Sequence, residues 1–148
     1  MTDSASVCHD RSMVSADPTA EVDSAHAAIV QAEILLRVGR AGLGRDRPAD
    51  IWDVQAVHPL AALLFAASPL GNGLGIGWVQ AALDNVDPED VQSPGWAQAA
   101  LMCSLRAERL GRSMVATLTA HPADRDAIVA AVRAAFQGRH RVGERRCG

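Results

Sequence analysis

Over most of this chain the apolar positions recur at intervals of three and four residues, the spacing of one face of an α-helix. The clearest run is Trp96, Ala100, Cys103, Ala107, Leu110 and Met114. It predicts a long amphipathic helix opened by Ser93-Pro94, a cap followed by a residue suited to the first turn. Gly111 is where this helix is expected to break. Near the start of the chain, Asp17-Pro18 predicts a helix from Pro18 to Val38. Val22, Ala25, Ile29, Ala32 and Leu36 form its apolar face, and Val30 and Ile34 widen it. Gly39 is expected to stop it, and residues 39–48 (GRAGLGRDRP) read as a loop.

A second helix should start near Pro48 and carry Ile51, Trp52, Val54 and Val57. The His58-Pro59 step should end it, since the residue before proline disfavours helical geometry. A third helix is expected over Leu60 to Ala67 and a short fourth over Trp78 to Val86, joined by a glycine-rich connection. Asp87-Pro88-Glu89-Asp90 reads as a turn. The last helix begins near Pro122, carries Ile128, Val132, Ala135 and Phe136 on one face, and is expected to end at Gly138. Residues 1–16 are then an N-terminal tail, 17–138 one helical domain, and 139–148 an Arg-rich C-terminal tail. The fold class that follows is all-α, a compact bundle or orthogonal array of about five to six helices.

Composition supports the same class. The 148 residues, 49% of them hydrophobic, suffice for one core. With two Phe, three Trp and no Tyr, that core is built from aliphatic and small side chains, among which alanine favours helix over sheet. All the basic residues are arginine, and the formal charge of -3 creates no overall field toward nucleic acid or an anionic membrane. The opening residues lack the basic start and apolar stretch of a secretory signal, so a cytoplasmic location is expected. Three cysteines, Cys8, Cys103 and Cys147, suggest free thiols rather than a disulfide framework.

Candidate chemistry is sparse. The stretch from Val54 to Leu83 has no charged residue and is long enough to cross a bilayer. Its prolines, glycines and polar residues, and acidic neighbours at Asp53 and Asp84, favour helices buried in a core instead. Gly71, Gly73, Gly75 and Gly77 do not form a nucleotide-binding loop: no G-x-G-x-x-G aligns, and the chain has no lysine for a phosphate loop. His9, His26, His58, His121 and His140 fall at no ligand-pair spacing, so no metal and no cofactor are expected. Cys103 lies on the predicted buried stripe, where an inert core thiol is the expectation. No catalytic residue is assigned.

The segment Ala107 to Thr119 (AERLGRSMVATLT) has the small residue and turn glycine of a helix-turn-helix in order, at Ala107 and Gly111. Arg106, Arg112 and Thr117 stand where that pattern wants apolar residues. Arg106, Arg109, Arg112, Arg139 and Arg141 are the candidate contacts to a partner or to DNA.

Leu83-Asp-Asn-Val-Asp-Pro-Glu-Asp-Val-Gln-Ser-Pro-Gly-Trp resembles the N-terminal domain of DnaB-type replicative helicases. In that family a helix ends, a Pro-Glu-Asp-apolar turn follows, and a proline opens a long helix leading to an Arg-Gly turn. Pro88, Glu89, Asp90 and Val91 match the turn and Pro94 the helix start. Glu108, Arg109 and Gly111 match the exit, with Leu110 as an additional residue. Leu60 to Pro69 is similar to the family's opening helix. The resemblance spans Ala56 to Val132 and implies an all-α domain that docks against copies of itself and against primase. No helicase motor accompanies it.

Taken together, the sequence reads as a non-catalytic helical interaction module linked to DNA replication. Its expected partners are itself, as a dimer or ring, and an unidentified protein, with no membrane association. A helix-turn-helix DNA-binding regulator is the alternative. A DNA reader would cluster its arginines on one exposed face, whereas an interaction module would expose an apolar patch.

Overall fold

A helix that is apolar on every side has to be surrounded by protein. In the computed structural model, which describes residues 17–42 and 51–147 and the side chains of 17–39 and 51–136, the centre of the fold is such a helix. Among the described residues there are six α-helices and a 3-10 turn (Pro18–Glu21), with no strand, and 73% of them are helical. We number the helices α1 (Ala25–Gly42), α2 (Ile51–Ala67), α3 (Ile76–Ala82), α4 (Trp96–Arg106), α5 (Glu108–Leu118) and α6 (Pro122–Cys147). Every side chain from Pro59 to Ala67 is buried. α2 touches all five other helices and the 3-10 turn, while α1 packs on α6 and α4 on α5. The middle of the uncharged segment, Pro59 to Ala67, is therefore at the centre of the core, and no described helix is long and apolar enough to cross a membrane.

Pro59 does not break this helix, contrary to the sequence expectation. An interior proline costs about 3 kcal/mol through the lost amide and the ring clash. Leu60, Leu63 and Leu64, all fully buried, each return about 1.5 to 3 kcal/mol. Burial of the following turns outweighs the local penalty, so two expected helices are one.

The N-terminal helix is also redrawn. Pro18 opens only the 3-10 turn, with Asp17 Oδ1 accepting from the Thr19 amide at 3.0 Å and from the Thr19 hydroxyl. The other carboxylate oxygen accepts from Ile76 N at 3.3 Å, tying the turn to the start of α3. α1 is capped by Ser24, whose Oγ accepts from Ala27 N at 3.0 Å. Its core face is Ala28, Ala32, Leu35 and Leu36, while Val30 and Ile34 are exposed rather than part of it.

Gly39 is a contact and not a stop. A Cβ placed there would lie 2.5 Å from Ala135 Cα, so glycine lets α1 and α6 approach backbone to backbone. Gly39→Ala is accordingly expected to destabilise the protein by about 1 to 3 kcal/mol through overpacking, although alanine gains about 1 kcal/mol in helix propensity. Urea titration checks this: a stabilised variant would mean that the two helices are not in contact at this point.

The long amphipathic stripe is buried along its whole length, yet it runs over two helices. The chain breaks at Ala107 (φ -141°, ψ 68°), not at Gly111. Gly111 lies within α5, where a Cβ would come 2.9 Å from Ser104 N. The bend at Ala107 folds α5 back on α4, and only a residue without a side chain fits at Gly111. α4 itself starts at Trp96, whose amide donates to Asn85 O at 3.0 Å, two residues after the expected proline start.

α6 begins as expected, with Ala123 N donating to His121 Nδ1 at 3.2 Å. It then continues through Gly138 to Cys147. Two interior glycines, Gly138 and Gly143, each cost about 1 kcal/mol relative to alanine, and the arginines around them are good helix formers. The N-terminal tail, residues 43–48 of the first expected loop and the expected helix start near Pro48 lie outside the described residues.

Candidate functional site

Of the candidate arginines, Arg106, Arg109 and Arg112 are exposed at the end of α4 and over the first turns of α5. Arg106, at the last position of α4, is exposed and its Nη1 donates to Leu70 O at 3.2 Å. Arg112 on α5 pairs with Glu108 one turn earlier, Nη2 to Oε1 at 2.6 Å. Both side chains of that pair are exposed, so it contributes only about 0.3 to 0.5 kcal/mol. Arg109 is exposed near the start of α5. Arg139 and Arg141 lie on the α6 backbone beyond the described side chains. A helix-turn-helix joins its helices through three or four residues, whereas α4 and α5 are joined by Ala107 alone and the supposed turn glycine is inside α5.

The glycine-rich connection spends its amides on its own chain. Asn72 N donates to Ala66 O at 2.8 Å, Gly73 N to Ser68 O at 2.9 Å and Gly75 N to Ala67 O at 2.9 Å, satisfying the carbonyls at the end of α2. Gly75 has a φ of +77° with Asp17 Oδ2 directly over it, a position only glycine occupies without strain. These are capping contacts rather than a phosphate cradle.

Cys103 is fully buried and free, with Sγ donating to Ala62 O at 3.4 Å. Burial pushes its thiol up to about 12 from an ordinary value of 9.0, which keeps it protonated and unreactive at neutral pH. Cys8 and the Cys147 side chain lie outside the described residues, as do His9 and the His140 side chain. His26, His58 and His121 are exposed, and among the described residues no three His, Cys, Asp or Glu come close enough together to hold a metal ion.

The loop between α3 and α4 is built on Asn85 and Asp90. Asn85 Nδ2 donates to Pro94 O at 3.0 Å and to Asp90 Oδ2 at 3.2 Å. Asp90 Oδ1 accepts from Ser93 N and Gln92 N, and these backbone bonds, Ser93 first, hold its carboxyl below the ordinary range. Asp84 pairs with Arg133 of α6 at 2.7 Å. Asp87, whose Oδ1 accepts from Glu89 N at 3.0 Å, and Glu89 are exposed, as is Val91 beside them.

What stands out on the surface is α4. Leu101 and Leu105, one turn apart, are 52% and 81% exposed, and half-buried Met102 lies between them. Gln98, one turn before Leu101, donates from Nε2 to Gln92 O at 3.4 Å, so the N-terminal end of this outer stripe abuts the acidic loop. Arg106 and Arg109 stand at the other end. Leu101 and Leu105 escape the sequence reading because they lie off the periodic stripe that faces the core. The signal was there, as two leucines four apart that do not belong to that stripe. Other exposed apolar residues are Val30 and Ile34 on α1, Ile51 and Val54 at the start of α2, Leu74, and Val115 on α5.

Compared with protein-family models, with curated proteins and with solved structures, the chain matches none.

Proposed function

We propose that this chain is a non-catalytic helical protein-interaction module whose contact surface is the outer face of α4. The carrying observation is the pair Leu101 and Leu105, exposed one turn apart on a rigid helix whose opposite face is anchored by fully buried Trp96 and Cys103. A leucine that is four-fifths exposed gains about 1.5 to 3 kcal/mol when a partner covers it completely, and an apolar stripe edged by charge is how such surfaces are commonly built. A replication setting rests on the resemblance at Pro88 to Val91 and Pro94, and the order of a short helix, an acidic turn and a core-packed helix supports it. The exit of that pattern, Glu108 to Gly111, falls inside α5 rather than in a turn.

The test is a photo-crosslinking residue introduced at Leu105 in the full chain, with Ala130 on the exposed side of α6 as the control position. Discrete protein adducts from position 105 and none from 130 are expected. Equal labelling at both positions, or none at either, removes the α4 surface. Sequence-specific nanomolar binding to duplex DNA, lost on Arg106→Ala with Arg112→Ala, would replace the module with the DNA-binding regulator.

A further inference from the structure

Resting on that reading, we infer that the occupant of the α4 face is a second copy of the same chain, packed with its α4 antiparallel about a twofold axis. The argument is one of charge order along the stripe. At its N-terminal end the loop presents the exposed carboxylates of Glu89 and of Asp87, whose Oδ1 accepts from Glu89 N at 3.0 Å, with exposed Val91 beside them. In the middle lie Leu101 and Leu105. At its C-terminal end are exposed Arg109 and Arg106, whose Nη1 donates to Leu70 O, and Glu108 beside them is already paired with Arg112. The remaining acids of the loop are likewise committed inside the protomer, Asp84 to Arg133 and Asp90 to loop amides.

An eleven-residue helix is about 16 Å long. Within one protomer the acidic and basic ends of the stripe are therefore too far apart to neutralise each other. Turning a second copy through a twofold axis places each acidic end against the partner's basic end, twice, and sets Leu101 and Leu105 of the two copies against one another. A parallel arrangement would put acid on acid and arginine on arginine. Like-charge contacts of that kind select against a wrong orientation more than matched ones add affinity. The opposed helix dipoles favour the same antiparallel choice. An isologous pair of this kind is closed and needs no further subunit. The stripe is short, so the dimer belongs to the small, transient class of interfaces and forms as concentration rises.

The experiment uses light scattering coupled to size exclusion on the full chain, over a dilution series from about one to several hundred micromolar. Wild type is expected to move from monomer to dimer mass over this range, with the midpoint shifting upward in high salt. Glu89→Arg and Arg109→Glu, both exposed changes, should each weaken self-association at least tenfold, because each creates two like-charge contacts. Mixed in equal amounts, these two variants should dimerise with each other about as well as wild type does with itself, since both contacts are then matched. Far-ultraviolet circular dichroism of each variant should be unchanged, and the mixture itself shows that both are folded. A wild type that stays monomeric throughout, a dimer indifferent to both reversals, or a mixture that does not recover would each overturn the inference. If wild type is monomeric while position 105 still crosslinks to a different protein, the interaction face stands and the second copy is excluded as its occupant.

Discussion

Trp96→Ala is expected to lower folding stability by about 3 to 5 kcal/mol, the range for removing a large buried aromatic. Trp96 is 0% exposed and heads the fully buried side chains by volume. It sits at the first position of α4, where its amide is tied to Asn85 O, so the cavity left by alanine would open at the junction of the helix, the acidic loop and the core. The indole Nε1 is buried with no hydrogen-bond acceptor among the described residues. An unsatisfied buried donor costs about 1 to 3 kcal/mol. Trp96→Phe, which keeps a ring and drops the donor, should therefore cost much less than the alanine change, and the gap between the two variants measures the ring alone. Urea unfolding of both decides it: a loss within about 0.5 kcal/mol for Trp96→Ala would show the indole to be a surface group.

Alkaline destabilisation through Cys103 is the second large effect. The unfolded thiol gives up its proton near 9.0, whereas burial pushes the folded thiol up to about 12. Between those values the unfolded chain binds fewer protons than the folded one, so stability falls as pH rises. The stabilising contribution is complete below pH 9 and lost on the way to pH 12, a change on the order of 4 kcal/mol at 1.36 kcal/mol per unit. Cys103→Ala lacks the titrating group, so the stability difference between wild type and variant should narrow across this window and stay constant between pH 6 and 8. A difference that does not vary up to pH 11 would mean that the thiol reaches solvent in the folded protein. In agreement with its burial, Cys103 should resist thiol reagents at neutral pH at a rate set by unfolding.

Much of the fold was legible in the order of residues, and the reason is local. Helix was the only regular structure the pattern allowed, because alanine and leucine at spacings of three and four satisfy a helix while aromatic and β-branched residues are too few for a sheet. The buried stripe from Trp96 to Met114 was correct at every position, and so were the burial of Cys103 and the start of α6 at Pro122. Periodicity reports which face is apolar, and that holds whether or not the helix bends, which is why the stripe was right while its break was misplaced.

Gly39, Gly111 and Pro59 were read as local punctuation, and there the sequence reading failed. Gly39 and Gly111 are glycine because another backbone passes within reach, Ala135 and Ser104 respectively, and nothing near them in sequence names those neighbours. Pro59 is tolerated inside α2 because the turns from Pro59 to Ala67 are encased by the other helices, a property of the whole assembly. Asp17 was expected to open a helix and instead joins a 3-10 turn to α3, a partner 59 residues away. The candidate surface follows the same division. Leu101, Leu105 and the acidic and basic residues around them are all in the sequence, but whether a leucine is covered depends on what packs over it. The sequence by itself determined helix, the core-facing stripe and the supply of charge. Only the tertiary structure decided where helices bend, which glycines are contacts, and which apolar face remains open, because each depends on how whole helices pack against one another.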